Sequence, residues 1–211
     1  MRYFCHDRPD VLQLETHVVD ARPGAVLLEA SPFHPGGGGQ LADRGRLAWA
    51  SGEAEVIGFE IVDGGVWHRL AGPVEAAGAV QASVDPEFRR LQTELHTDAH
   101  VLNALVYRHF DGALITGAQL NDDGTARVDF DLPGADNDRL RALEGEINDL
   151  IRQDLPVRSA WVALDAARAE TGLLRSRSVA PPPAADGTVR IVEIVGLDRQ
   201  ACGGTHLAST A

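Results

Sequence analysis

Four residues in this chain have the types and the spacing of a metal site. His96 and His100 lie four positions apart in a segment with a helical pattern, so both imidazoles project from one face, one turn apart. Cys202 and His206 have the same spacing in Cys-Gly-Gly-Thr-His, where two glycines let the backbone wrap around an ion. Three imidazoles and a thiolate form a tetrahedral donor set that zinc prefers. The sequence therefore predicts one zinc ion per chain and leaves open whether it is structural or catalytic.

The residues around the two helical histidines exclude one class of zinc enzyme. Metalloproteases of the His-Glu-x-x-His type carry a glutamate directly after the first histidine, and this chain has Thr97 there. Asp98 projects roughly 160–200° away from the histidines at helical spacing, so we interpret it as a charge on another face. His34 is a candidate proton carrier, although a histidine in a loop is more often idle. No general base is identified from the sequence.

A glycine-rich segment, residues 31–45, is the second candidate site. Its four consecutive glycines at 36–39 permit backbone angles that are closed to other residues, so a ligand can approach the main chain. It is not a phosphate-binding P-loop, because no Gly-Lys-Ser/Thr follows. The segment is either a flexible hairpin tip or a ligand-binding loop in which Gln40 is pressed against the ligand.

The elements that must position these residues change character near residue 86. Before it, short segments rich in β-branched residues predict strands at 11–19, 25–28, 46–49, 55–61, 66–70 and 79–84, as in a small barrel or sandwich. Asp85-Pro86 is typical of a helix start, and an apolar three-to-four spacing predicts a helix over 86–110. Further segments predict strands at 114–120, 126–131, 157–163 and 189–195, and helices at 136–153 and 165–171.

These elements predict an α+β protein in two domains. We expect a small β-barrel-like domain at residues 1–86, which contains the glycine-rich loop. Residues 87–211 are expected to form a two-layer α+β domain with helices on an antiparallel sheet.

Composition is that of a soluble globular protein. The 211 residues are 44% hydrophobic and 24% charged, and no apolar run approaches the roughly 18–20 residues that cross a bilayer. No membrane partner is expected, and the N-terminus lacks the apolar stretch of a signal peptide, so we expect a cytoplasmic protein. Of the two cysteines, Cys202 is a ligand candidate and Cys5 is interpreted as an idle thiol.

The net charge of −12 counts against a nucleic-acid partner, which normally requires a basic surface. All nineteen basic residues are arginine, however, and arginine binds phosphate better than lysine does. A short arginine-lined path on an acidic protein is still compatible with RNA. The candidate pairs are Arg44 with Arg46, Arg89 with Arg90, and Arg175 with Arg177.

Taken together, these motifs resemble the AlaX family of free-standing alanyl-tRNA editing proteins, and through it the editing domain of alanyl-tRNA synthetase. The resemblance is carried, in family order and over nearly the whole chain, by residues 31–45, His96-Thr-Asp-Ala-His100, residues 127–130 and Cys202-Gly-Gly-Thr-His206. The last motif is the most specific. Ser31 stands where relatives often carry threonine.

The resemblance implies a hydrolase that acts in trans on alanine tRNA mischarged with serine or glycine. It implies zinc on His96, His100, Cys202 and His206. Ser31, Gly38, Gly39 and Gln40 would bind the substrate. Two other classes stay open: a non-catalytic module that binds the tRNA acceptor end around a structural zinc, and a zinc hydrolase of a small ester or amide.

Overall fold

The chain folds into two units, which a computed structural model describes over residues 2–134, 137–175 and 182–211. The first, here called the barrel unit, comprises Arg2–Gly37 and Leu41–Gln92. The second, here called the C-terminal unit, comprises Gly38–Gln40 and Thr93–Ala211. The glycine-rich loop thus contributes residues to both units.

Six strands of the barrel unit form a closed antiparallel barrel in the order β1-β2-β5-β4-β3-β6. Strand β6 pairs with both β3 and β1 and so closes the barrel. A short helix, α1 (Phe4–Asp7), precedes them. The strands are β1 (Gln13–Arg22), β2 (Ala25–Leu28), β3 (Gly45–Trp49), β4 (Gly52–Val62), β5 (Gly65–Leu70) and β6 (Ala79–Val84).

Alternation along these strands fills the barrel with small and β-branched side chains. Val26, Leu47 and Ala82 are completely buried and belong to one apolar core, since alternate residues of a strand face the same side. Gly45 is required where β3 approaches β6, because a Cβ there would lie 2.1 Å from the Ser83 carbonyl oxygen.

A buried ion pair holds the barrel unit's part of the glycine-rich loop. The Asp43 carboxylate accepts the His34 backbone N–H and two guanidinium N–H groups of Arg89. Arg89 also donates to the Pro32 carbonyl, at 2.8 Å. The Arg89 side chain is therefore buried and bonded within the barrel unit. It is no longer a candidate for contact with RNA. Arg44 and Arg90 are exposed, and Arg177 lies outside the described residues.

The C-terminal unit combines helices with a three-stranded antiparallel sheet in the order β11-β10-β9 and a separate two-stranded sheet, β7-β8. The helix α2 spans Pro86–His109, and its residues from Thr93 onward belong to this unit. The other elements are β7 (Ile115–Leu120), β8 (Ala126–Phe130), α3 (Asn137–Arg141), α4 (Glu144–Arg152), β9 (Val157–Ala163), α5 (Leu164–Ala169), β10 (Thr188–Ile194) and β11 (Asp198–Ala201).

Helices cover the three-stranded sheet through apolar contacts. Leu105 of α2 and Leu150 of α4 share one core with Ile194 of β10. Ala167 of α5 packs with Ile191 in another core. The predicted α+β class, a barrel followed by helices on an antiparallel sheet, is confirmed. The domain boundary near residue 86 stays a prediction.

The structure differs from the sequence prediction at three elements. The predicted helix over 136–153 is two helices, α3 and α4, and its first residue, Asp136, lies outside the described residues. Helix α1 and strand β11 were not predicted. The three-to-four spacing of α2 predicts one buried stripe, formed by Phe88, Leu91, Leu95, Ala99, Leu102 and Val106. Burial extends beyond that stripe, since Val101 and Leu105 are completely buried. None of the helices in the described part of the chain is long and apolar enough to cross a membrane.

Candidate metal centre

Two distant parts of the C-terminal unit supply the four predicted zinc ligands. His96 and His100 lie on α2. Cys202 directly follows β11, whose residue Ala201 pairs with Ile191 of β10. The Cys202 backbone N–H donates to the Arg190 carbonyl at 3.0 Å. Sheet pairing therefore sets where the Cys-Gly-Gly-Thr-His turn begins.

The four side chains converge. Their donor atoms all lie within 4.8 Å of one another, and the Cys202 Sγ is 3.3 Å from both His96 Nε2 and His206 Nε2. Zinc bonds of about 2.0–2.1 Å to nitrogen and 2.3 Å to sulfur imply tetrahedral edges of roughly 3.3–3.6 Å. The donor types and these two sulfur–nitrogen distances therefore fit a zinc ion. His206 is half-buried and the other three are buried.

The second glycine of the turn has a steric role. A Cβ on Gly204 would lie 2.0 Å from His96 Cε1 and 2.2 Å from His96 Nδ1. Real Cβ atoms do not approach other heavy atoms so closely. Any other residue at this position would displace the His96 ring, which explains a glycine here independently of backbone freedom.

Polar side chains contact the far nitrogen of each imidazole. His96 Nδ1 is 2.8 Å from Gln40 Oε1, and His206 Nδ1 is 3.3 Å from Thr97 Oγ1. His100 Nδ1 is 3.1 Å from the Gln200 amide nitrogen. In metal sites, outer contacts that accept a ring N–H orient the ligating imidazoles. The oxygens that face His96 and His206 are of this kind, whereas the Gln200 amide nitrogen donates to His100 Nδ1. Each of the three rings thus turns its other edge toward the common centre.

The charge of Arg190 lies behind the turn. This buried guanidinium donates to the carbonyls of Gly204, at 2.8 Å, and Cys202, at 3.3 Å. Burial, and to a lesser extent the charge of Arg190, lowers the pKa of His96 to about 4. Burial would raise the pKa of Cys202, but His100, the Gly204 amide and Arg190 outweigh it and hold that pKa below its usual value. Both shifts favour a neutral imidazole and a thiolate, the forms that bind metal.

The predicted substrate-binding residues lie in different units. Gly38, Gly39 and Gln40 belong to the C-terminal unit, and Ser31 belongs to the barrel unit. Gly39 lies against β7: its carbonyl accepts the Leu120 N–H at 2.9 Å, and a Cβ on it would lie 2.6 Å from the Ala118 carbonyl oxygen. Gly38 is exposed, and a Cβ there would meet open space.

Two further residues considered in the sequence analysis, His34 and Asp98, do not belong to the four-residue cluster. His34 is buried in the barrel unit, where its ring lies near Tyr3 and His6. Asp98 is exposed on α2, as expected for a charge on another face.

Sequence reasoning missed Arg190, which contacts the Cys-Gly-Gly-Thr-His turn, and Gln200, which contacts the candidate ligand His100. A signal existed for one of them. Arg190 interrupts the apolar strand Thr188–Ile194, and strand alternation places it on the face of the buried residues Val192 and Ile194. A charge on a buried face calls for a specific partner.

The chain is similar to two alanyl-tRNA editing proteins. The chain is 35% identical to alanyl-tRNA editing protein AlaX-M of Methanosarcina barkeri over 193 residues, which is 88% of this chain and 78% of that protein. It is 32% identical to AlaX-M of Saccharolobus solfataricus over 206 residues, 95% of this chain and 84% of that protein.

The chain also matches part of a longer enzyme. It is 33% identical to the alanine–tRNA ligase of Korarchaeum cryptofilum over 205 residues, 96% of this chain and 22% of the ligase. It thus spans about a fifth of the length of the ligases it matches. No family model matches the chain. With identities above 30% over most of the length of two editing proteins, the chain belongs to the AlaX family of alanyl-tRNA editing proteins.

Proposed function

We propose that this protein hydrolyses the ester bond between a wrong amino acid, serine or glycine, and alanine tRNA, at a zinc ion. The observation that carries the proposal is the convergence of His96, His100, Cys202 and His206 in a member of the AlaX family. These four residues would bind one zinc per chain. Zinc would supply a Lewis acid that polarises an ester carbonyl or a water molecule.

The electrostatics of the centre suit this reaction. Among the described residues, no aspartate or glutamate joins the four ligands, so one thiolate is the only anion that faces a dication. Arg190 adds a further positive charge behind the turn. The centre would thus be cationic within a chain of net charge −12, and it would attract the carbonyl oxygen as that atom gains charge.

The glycine-rich loop is the proposed contact for the aminoacyl end. Exposed Gly38 offers backbone that no side chain shields, and the amides of Gly38 and Gly39 are suitable donors to a developing oxyanion. Ser31 is proposed to recognise the serine hydroxyl. No general base is assigned, and the terminal hydroxyl of the tRNA is proposed to help align the attacking water.

The test is deacylation of Ser-tRNA(Ala), Gly-tRNA(Ala) and Ala-tRNA(Ala), compared side by side. We expect release of serine or glycine and retention of alanine. Binding of mischarged tRNA without cleavage would contradict the proposal and favour a non-catalytic module with a structural zinc. Hydrolysis of all three at equal rates would contradict an editing role.

Salt dependence separates tRNA from a small ester as substrate. Arginine–phosphate contacts release counterions, so activity on tRNA should fall steeply with added salt. Replacing exposed Arg44 or Arg90 by glutamine should lower the salt slope by about one per lost phosphate contact. A flat profile between low and physiological ionic strength would contradict tRNA as the partner.

A further inference from the structure

The side-chain amide of Gln40 is engaged within the candidate metal centre. Gln40 is 4% exposed. Its Oε1 accepts the Thr205 backbone N–H at 2.9 Å and lies 2.8 Å from His96 Nδ1. Its Nε2 donates to Thr205 Oγ1 at 2.8 Å. Only the second N–H of the amide is left for any further partner.

These contacts determine which nitrogen of His96 carries the proton. The Thr205 backbone N–H can only donate, so the amide atom facing it must be the oxygen. Because that oxygen can only accept, His96 Nδ1 must be protonated to form its 2.8 Å contact. In a neutral imidazole the lone pair is then on Nε2, the atom that lies 3.3 Å from the Cys202 thiol.

His206 shows the same arrangement with a hydroxyl. Thr97 Oγ1 donates to the Thr93 carbonyl at 2.9 Å and accepts the Leu207 N–H at 3.1 Å. With its proton used, that oxygen can only accept from His206 Nδ1, at 3.3 Å. His206 therefore also turns an unprotonated Nε2 to the centre. The contact of Gln40, at 2.8 Å against 3.3 Å, makes it the stronger of the two supports.

We propose that Gln40 is a positioning residue for the metal: it holds His96 in the ligating tautomer and ties the Cys-Gly-Gly-Thr-His turn to the glycine-rich loop through Thr205. This inference rests on the proposed zinc site and gives Gln40 a different role from the amino-acid contact implied by family resemblance. The role requires an acceptor at Oε1. A substrate contact would instead require the remaining N–H.

Two substitutions separate these roles. Gln40→Met keeps the length of the side chain and removes the acceptor, so zinc affinity should fall about 10- to 100-fold, as for other lost outer contacts. Gln40→Glu keeps an acceptor and removes both N–H donors, so it should bind zinc at least as tightly as the parent. Gln92→Met is the matched control, because Gln92 is completely buried in the barrel unit and accepts the Leu41 N–H. It should leave zinc affinity unchanged.

Zinc affinity is measured by competition with a chelator, and the cobalt(II) absorption spectrum reports ligand geometry. Parent-like affinity in Gln40→Met, or equal losses in Gln40→Met and Gln40→Glu, would overturn the proposal. Absence of zinc binding by the parent would overturn the metal site and this role together. A parent that binds zinc but cleaves no mischarged tRNA would contradict only the deacylase function, while the affinity pattern would still support Gln40 as a positioning residue.

Discussion

Buried histidines occur in both units of the protein, and their surroundings differ. In the C-terminal unit, three imidazoles and a thiol bring their donor atoms within 4.8 Å of one another. In the barrel unit, His68 is 1% exposed, and its Nε2 lies 2.6 Å from the Ser31 hydroxyl. The rings of Phe33 and Phe59 lie 5.7 and 5.1 Å from the His68 ring.

The comparison shows that a lowered pKa does not identify a metal ligand. Burial lowers the pKa of His68 to about 4, although backbone groups of Val26 and Val66 offset part of the effect. Burial and the charge of Arg190 bring the pKa of His96 to the same value. The two sites differ in what surrounds the rings. In the C-terminal unit, donor atoms of three histidines and one cysteine lie within 4.8 Å of one another, whereas His68 Nε2 contacts a serine hydroxyl.

The largest expected effect comes from removing the thiolate. Cys202→Ala should reduce zinc from about one per chain to near zero, because the thiolate neutralises part of a buried dication. Cys5→Ala is the control, since Cys5 is also a buried cysteine outside any disulfide but lies in the barrel unit. Elemental analysis gives the metal content. Full zinc in Cys202→Ala would remove this residue from the site.

A methyl group beside His96 should have the next largest effect. Gly204→Ala would place a Cβ 2.0 Å from His96 Cε1, so the ring must move and zinc affinity should fall by about 10- to 100-fold. Gly145→Ala is the control, because a Cβ there meets open space on α4 and should add up to about 1 kcal/mol of stability. Chelator competition distinguishes them, and parent-like affinity in Gly204→Ala would contradict the close contact.

Acid should destabilise the barrel unit through His68. The pKa of His68 is about 4 in the folded state and about 6.5 in the unfolded state. The unfolded chain therefore binds more protons between these values, so stability is fully present above pH 6.5 and is lost as pH falls toward 4. Between pH 7.5 and 4.5 the loss from this residue is about 2–3 kcal/mol.

Urea unfolding of the parent and of His68→Gln at both pH values measures the contribution of His68 to the loss of stability. Other acid-sensitive groups contribute equally to both proteins. The variant should lose less stability than the parent on acidification. Equal losses would show that His68 titrates normally in the folded state. Zinc content should be the same in both proteins at pH 7.5.

The smallest expected effect concerns selectivity at Ser31. If Ser31 recognises the serine hydroxyl, an alanyl substrate leaves a polar group unpaired at a cost of about 1–3 kcal/mol, or about 5- to 150-fold. Ser31→Ala should lower the ratio of Ser-tRNA to Ala-tRNA cleavage, whereas Ser31→Thr should preserve it, both with parental zinc content. An unchanged ratio in Ser31→Ala would place the discriminating contact elsewhere.

Local patterns were enough to predict many of these features. Asp85-Pro86 predicted the start of α2 because a capping carboxylate and a fixed proline φ act within a few residues: Asp85 Oδ1 accepts the N–H groups of Glu87 and Phe88. The four-residue spacing of His96 and His100 depends only on the helix repeat. The barrel strands followed from short segments rich in β-branched residues, broken by glycine, proline and aspartate.

Tertiary structure alone decided how the centre is completed. Strand β11, Asp-Arg-Gln-Ala, has no apolar alternation and exists because it pairs with β10. Gln40 and His96 are 56 positions apart, and Cys202 and His96 are 106 apart. Motif spacing carries no information about such pairs, because their distances are set by sheet pairing and by close approach at Gly39 and Gly204. The residue types of the four candidate ligands were thus apparent from the sequence, whereas their convergence and the polarity of the contacts behind them were properties of the fold.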